Sequence, residues 1–129
     1  MYSEIKTLFE LDGVCVDQSD VIGFVFLQKS TLLFAVQQKN GTVQVFQVTY
    51  DGEKSKCVVV LTVEGTYSKF EMYFDTRAKN ICALDQALLV FNGEDRCLVR
   101  TINSVVYEQH NTVVKHASHR NNTICLLTQ

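Results

Sequence analysis

Apolar runs of strand length, separated by short polar breaks, fill the first half of the sequence. Residues 21–27 (VIGFVFL) and 32–36 (LLFAV) are rich in β-branched and aromatic side chains and are too short for ordinary helices. Residues 42–50 form a third run after Asn40-Gly41, a pair that tolerates the positive φ required at both central positions of a type I′ turn. The pattern predicts an antiparallel meander with a type I′ hairpin at Asn40-Gly41.

The third and fourth runs have apolar residues on both faces. In residues 42–50, Val43 and Val45 occupy one face of a strand, and Phe46 occupies the other. Residues 56–63 follow a polar turn and include an unbroken VVVL segment. We expect both strands to be covered on both sides, and we expect residues 56–63 to complete a first group of four antiparallel strands.

The flanking segments continue the succession of apolar runs and polar breaks less regularly. Residues 3–11 fit either a helical stripe or an outer strand, and we favour the strand. The second half predicts another group of four strands, at residues 68–75, 80–84, 87–91 and 96–102. Three further short strands are predicted at residues 105–107, 112–116 and 123–127, and a polar loop at residues 117–122 separates the last two.

The similar groups are spaced by about forty residues, which is the period of β-propeller repeats, whose blades are four-stranded sheets. Within residues 21–48, FVFL, LLFAVQQ, the turn NGT and VQVFQV resemble successive parts of a WD40-type blade. The family commonly has Val-x-Val-Trp-Asp/Asn-Val in the last part, which places Phe46 at the Trp position and Gln47 at the Asp position. Residues 70–91 and 113–127 resemble parts of further blades. The chain has no Trp and no Gly-His pair.

The resemblance implies an all-β unit over residues 1–129. Antiparallel four-stranded meanders would form blade-like sheets at residues 12–64 and 66–102, with a partial third sheet at residues 104–129. Closed propellers contain typically four to eight blades. We therefore expect an incomplete propeller, whose remaining blades come from a longer protein or from a partner chain. The alternative is a single small β-sandwich or barrel.

Composition indicates one soluble globular domain without a strong electrostatic field. Apolar residues make up 47% of the 129 residues, the mean hydropathy is +0.04, and the net charge is −2 with a pI near 5.9. These values give no support for a nucleic-acid or membrane partner. The five cysteines are odd in number and form no CxxC pair. The N-terminal segment lacks the basic region followed by an apolar region that is typical of a signal peptide. We expect an intracellular location, in the cytoplasm or the nucleus.

Candidate catalytic and metal-binding residues are sparse. His116, His119 and Cys125 are conceivable zinc donors, but a structural zinc site requires four ligands at compact spacings. The sequence places no base or helix N-terminus beside Cys82 or Cys97 that would activate a thiol. It contains no GxGxxG, GxxxxGK[ST], HExxH or GxSxG motif. We therefore predict no enzyme activity, no cofactor and no metal.

A protein-interaction scaffold is the predicted function, because a propeller-like frame offers a rigid surface with variable loops. The partner would be a protein that completes the propeller or pairs with an edge strand. The alternative is a small β-barrel or sandwich that binds a ligand or peptide in its interior. The predicted contact loops are residues 28–31, 77–80 and 116–122. The candidate contact residues are Gln28, Lys29, Ser30, Arg77, Lys79, His116, His119 and Arg120.

Overall fold

A computed structural model describes residues 7–11, 14–17, 20–28, 31–50, 52–75, 84–120 and 123–129. These residues form antiparallel strands, a short 3₁₀ helix (Leu84–Gln86) and no α-helix, which confirms the all-β prediction. The chain divides into two compact units, Met1–Gly65 and Thr66–Gln129. The strands are β1 (Thr7–Leu11), β2 (Val14–Asp17), β3 (Val21–Gln28), β4 (Thr31–Gln37), β5 (Thr42–Tyr50), β6 (Ser55–Glu64), β7 (Lys69–Tyr73), β8 (Leu88–Asn92), β9 (Arg96–Arg100), β10 (Val105–His110), β11 (Val114–Arg120) and β12 (Thr123–Thr128).

The first unit contains a two-stranded hairpin, β1–β2, and a four-stranded sheet in the order β3-β4-β5-β6. Each strand of the sheet pairs antiparallel with the next strand along the chain, so the sheet is the meander that the apolar runs predict. Its β-branched and aromatic side chains suit a pleated surface that packs on its neighbours. β1 confirms the strand interpretation of the N-terminal segment over the residues described there.

The β4–β5 connection differs from the predicted type I′ turn. The Gly41 backbone N–H donates to the Gln38 carbonyl at 3.3 Å, and Gly41 has φ +88°, but Asn40 does not adopt a positive φ. This geometry is typical of a type I turn followed by a left-handed glycine. The Asn40 side-chain Oδ1 accepts a hydrogen bond from the Thr42 backbone N–H at 3.1 Å. The hairpin prediction is therefore confirmed and the turn type is wrong, because only Gly41 takes the left-handed conformation.

The two central strands of the first sheet are buried on both faces. On β5, Val45 is fully buried on one face and Phe46 is 3% exposed on the other, as predicted for this strand. The Phe46 ring stacks on the Phe34 ring of β4 with a centroid distance of 5.2 Å. On β6, in contrast, Val58 and Val59 are exposed. The prediction that β6 is covered on both sides is wrong, because β6 is an outer strand with one paired neighbour.

The second unit contains a four-stranded sheet in the order β10-β9-β8-β7 and the hairpin β11–β12. β7 pairs directly with β8, whereas the sequence pattern places a strand at residues 80–84 between them. Leu84 instead begins the 3₁₀ helix, and residues 80–83 lie outside the described residues. β10 pairs with β9 and joins this sheet, whereas the sequence pattern assigns residues 105–107 to a third group. Periodicity locates strands, but it does not specify their neighbours.

The β11–β12 hairpin packs on one face of the second sheet. Val114 and Ala117 of β11 join side chains of β8 and β9 in one buried cluster. Ile124 and Leu126 of β12 pack against the same cluster. The cluster residues contributed by the sheet are Leu88, Val90, Cys97 and Val99. The opposite face of the sheet is also buried, at Phe70, Leu89, Phe91 and Leu98.

A buried asparagine fixes the start of β11. Asn92, at the end of β8, is 5% exposed. Its Nδ2 donates to the Val114 carbonyl at 2.8 Å, and its Oδ1 accepts from the Val114 backbone N–H at 2.9 Å. Buried backbone groups require such partners. The Asn92 amide therefore satisfies the hydrogen-bonding groups of the Val114 backbone in the way that a neighbouring strand would.

Both four-stranded sheets are open. Within the described ranges, β3 and β6 have one paired neighbour each in the first sheet, as do β7 and β10 in the second. The small barrel that was the alternative expectation is therefore wrong for these residues. Edge strands present unpaired backbone donors and acceptors, which form a template for pairing with another chain.

Candidate protein-contact surface

The structure describes three of the eight predicted contact residues in full. Gln28 is the last residue of β3, and only its backbone is described. The contact role of the other four stays a prediction, because they lie outside the described part of the chain. These four are Lys29, Ser30, Arg77 and Lys79.

His116, His119 and Arg120 lie on a strand and not in a loop. β11 continues to Arg120, so most of the predicted loop at residues 117–122 is strand. Ala117 is buried and His119 is half-buried on one face of β11, whereas His116 and Arg120 are exposed on the other. The apolar pattern does not predict this part of the strand, because no large apolar residue marks its buried face. The structure brings His116 and Arg120 to one surface and places His119 on the opposite face.

The exposed surface of the β11–β12 hairpin consists of three cross-strand pairs. The pairs are His116–Leu127, Ser118–Cys125 and Arg120–Thr123. Leu127 is 60% exposed. The His116 ring meets the Tyr73 ring of β7 edge-on, with a centroid distance of 5.6 Å. We call the three pairs the outer hairpin face.

Two exposed phenylalanines on β3 are contact candidates that the sequence pattern does not predict. Phe24 is 62% exposed and Phe26 is 67% exposed, and their rings meet in T-shaped geometry at 6.1 Å. Their spacing of two residues places both rings on the same face of the strand. The FVFL run resembles the innermost strand of a blade, so the pattern predicts that its aromatic side chains are buried in the core. Apolar groups exposed side by side often mark an interaction site.

The exposed phenylalanines lie at the end of a continuous apolar face. Phe24 lies opposite Phe34 of β4, and Phe34 lies opposite Phe46 of β5. Side chains that lie directly opposite on neighbouring strands share a face and are close enough to interact. Phe34 and Phe46 are buried, whereas Phe24 and Phe26 are exposed. We call Phe24, Phe26 and the unpaired side of β3 the β3 edge site.

The thiols and imidazoles of the described residues were also candidates for chemistry. His116 and His119 point to opposite faces of β11, so they do not converge on one ion. The described ranges contain no group of three or more His, Cys, Asp or Glu residues that could hold a metal. Burial raises the pKa of the Cys57 and Cys97 thiols. A raised pKa reduces the fraction of reactive thiolate at neutral pH.

No protein-family model, curated protein or solved structure matches this chain. No relative therefore supplies an activity, a ligand or a partner. Over the part of the chain that the structure covers, no helix has the length and apolar content to cross a membrane.

Proposed function

We propose that this chain is a non-enzymatic protein-interaction scaffold built from four-stranded sheets of the β-propeller type. Three features support this architecture. Both four-stranded sheets are sequential antiparallel meanders, as propeller blades are. Central strands of both sheets are buried on both faces. The β11–β12 hairpin packs face to face on the second sheet, as part of a following blade would.

The β3 edge site is the observation that favours a protein partner. Phe24 and Phe26 each leave most of the side chain in water. Covering the exposed part would stabilise a complex by roughly 1–2 kcal/mol per ring. The unpaired side of β3 also offers backbone donors and acceptors to an added strand. A partner strand beside β3 would satisfy the backbone groups and cover the rings at the same time.

Free thiols support an intracellular site of action. Cys57, Cys97 and Cys125 are not joined in disulfides. Small proteins of oxidising compartments often rely on disulfide bonds, whereas thiols stay reduced in the cytosol and nucleus. The scaffold would therefore meet its partner inside the cell.

Partner capture with matched variants tests this function. The tagged full chain is purified from cells that express it, and the proteins bound to it are identified by mass spectrometry. The test variant is Phe24→Ser/Phe26→Ser, which removes both exposed rings from β3. The control variant is Val58→Thr/Val59→Thr, which changes two exposed apolar residues on the other edge of the same sheet.

We expect the phenylalanine variant to lose a partner that the wild-type chain and the valine variant retain. With the purified partner, the Kd of the phenylalanine variant should rise at least about tenfold, which corresponds to about 1.4 kcal/mol. Circular dichroism and the urea midpoint show whether each variant is folded. An unchanged set of partners and an unchanged Kd for a folded phenylalanine variant would contradict the proposal.

A further inference from the structure

The β11–β12 hairpin is a basic segment of a chain with a net negative charge. From residue 112 to residue 129 the sequence contains no Asp or Glu, although the net charge of the whole chain is −2. Lys115, His116 and Arg120 are all exposed on β11. Complementary charge steers partners to a surface and discriminates against like-charged ones. The hairpin therefore favours an anionic partner.

The open side of this hairpin is the free edge of β12. β11 has β12 on one side, and the Asn92 amide of β8 already occupies the backbone N–H and carbonyl of Val114 in β11. The Tyr73 ring of β7 contacts His116. β12, like β11, has only the other hairpin strand as a paired neighbour among the described strands. An added strand would therefore pair along the free edge of β12.

The outer hairpin face has a cationic end and an apolar end. Arg120 lies opposite Thr123, and Leu127 lies towards the far end of β12. A strand added beside β12 would lie about 9–10 Å from β11, which is two strand spacings. An extended arginine side chain and a glutamate side chain together span that distance over the short Thr123. Leu127, which is 60% exposed, would contact an apolar side chain of the same added strand.

We propose that β12 and the outer hairpin face bind an extended acidic segment of a partner protein, which joins the hairpin as a third strand. Backbone hydrogen bonds to β12 hold the segment. A carboxylate of the segment pairs with Arg120, and an apolar side chain covers Leu127. The inference rests on the scaffold function and names its class of partner, but it uses a surface separate from the β3 edge site.

Defined peptides test the inference on the full chain. The probe is a fluorescein-labelled peptide of alternating Glu and Val, and its binding is measured by fluorescence anisotropy at low and high salt. One control peptide has Lys in place of every Glu. A second control keeps the Glu residues but has Pro at a central Val, which removes a backbone donor and breaks strand pairing. Amide hydrogen exchange locates the peptide on the chain.

We expect the Glu/Val peptide to bind more tightly at low salt than at high salt and to slow amide exchange in β12. Both control peptides should bind at least about tenfold more weakly. Arg120→Glu should weaken the Glu/Val peptide about tenfold and strengthen the Lys/Val peptide. Lys39→Glu makes the same charge change at an exposed turn of the first unit and should alter the affinity less than about twofold.

Several results would overturn the inference. They are failure of the Glu/Val peptide to bind, equal binding of either control peptide, and slowed exchange confined to strands other than β12. The Phe24→Ser/Phe26→Ser variant should bind the Glu/Val peptide as the wild type does. If the Phe24→Ser/Phe26→Ser variant loses the captured partner and the wild type binds no Glu/Val peptide, the inference about β12 is rejected. The β3 edge site then remains supported.

Discussion

At the residue scale, Asn92 shows how one side chain takes the place of a strand neighbour. Its amide occupies both backbone groups of Val114, which is itself buried. The sequence associates Asn92 with the polar turn that follows β8, because asparagine is common in turns. Nothing in the local pattern indicates that this amide reaches the backbone of a residue more than twenty positions away. Such a contact is fixed by tertiary packing.

Removing the Asn92 amide should destabilise the second unit. We expect Asn92→Ala to lower the free energy of unfolding by roughly 1–3 kcal/mol, because it leaves two buried backbone groups of Val114 without partners. Urea denaturation followed by circular dichroism measures the change. Asn103→Ala, at an exposed turn position, is the control and should change stability by less than about 0.5 kcal/mol. Equal losses in the two variants would contradict the role given to Asn92.

Two phenylalanines that lie opposite each other should differ sharply in their contribution to stability. We expect Phe34→Ala to cost roughly 3–5 kcal/mol, because the ring is 3% exposed and packs on Phe46. Phe24→Ala should cost less than about 1 kcal/mol, because its ring is mostly in water before the substitution. The comparison of the two urea midpoints is the measurement. A large loss for Phe24→Ala would mean that its ring belongs to the core of the chain.

At the element scale, the hairpin turns depend on glycine for two different reasons. Gly41 has φ +88° and open space around the position of a Cβ atom. Gly93, between β8 and β9, lies so close to neighbouring atoms that a Cβ would approach the Thr66 carbonyl oxygen to 2.8 Å and the Arg96 Cγ to 3.0 Å. The first turn therefore needs the conformational freedom of glycine, and the second needs its small size.

These two reasons predict a ranking of alanine variants. Gly41→Ala should lower the free energy of unfolding by about 1 kcal/mol, which is the strain of a left-handed alanine. Gly93→Ala should cost more, roughly 1–3 kcal/mol, because the carbonyl in its way belongs to the backbone and must shift. Equilibrium unfolding in urea gives both values. A larger loss for Gly41→Ala than for Gly93→Ala would contradict the close approach at Gly93.

The strands of the first sheet could be predicted from sequence because each pairs with its neighbour along the chain. Apolar runs and the Asn40-Gly41 turn are local signals, and local signals suffice for a meander. The second sheet was harder because β7 pairs with β8 across residues 74–87, and no periodicity encodes that pairing. The candidate contact surface could be predicted only in part. Phe24 and Phe26 have the residue types of a core strand, and only their position on an edge strand leaves them in water.

At the scale of the whole molecule, burial couples stability to the protonation of four side chains. Burial is the first cause that raises the pKa of each of these thiols and phenols above its ordinary value, 9.0 for cysteine and 10.0 for tyrosine. The groups are Cys57, Cys97, Tyr67 and Tyr73. In the alkaline range the unfolded chain releases these protons before the folded chain does. The folded state then binds more protons, so its stability falls as pH rises.

The stability of the chain should therefore decline at alkaline pH. Below the ordinary pKa values both states are protonated and these groups add no pH dependence. Above about pH 9 for the thiols and about pH 10 for the phenols, the free energy of unfolding should fall until the folded-state pKa values are passed. Urea denaturation between about pH 8 and about pH 11 measures the decline.

Tyr73→Phe provides the matched comparison, because it keeps the ring and removes one of the ionisable groups. The phenylalanine variant should lose less stability than the wild type over the tyrosine part of the range. A pH profile that is flat for the wild type, or the same for the variant, would contradict the raised pKa of the Tyr73 hydroxyl.

The open edges of these sheets also have a consequence for the newly made protein. The chain contains no proline, although proline is one of the residues with which proteins guard an exposed edge against fibril formation. Among the described residues, β3 and β12 therefore present unpaired backbone groups beside which another chain can pair. Such edges raise the tendency of the newly made chain to polymerise as its concentration rises, and a strand bound at either edge would also protect it from fibril growth.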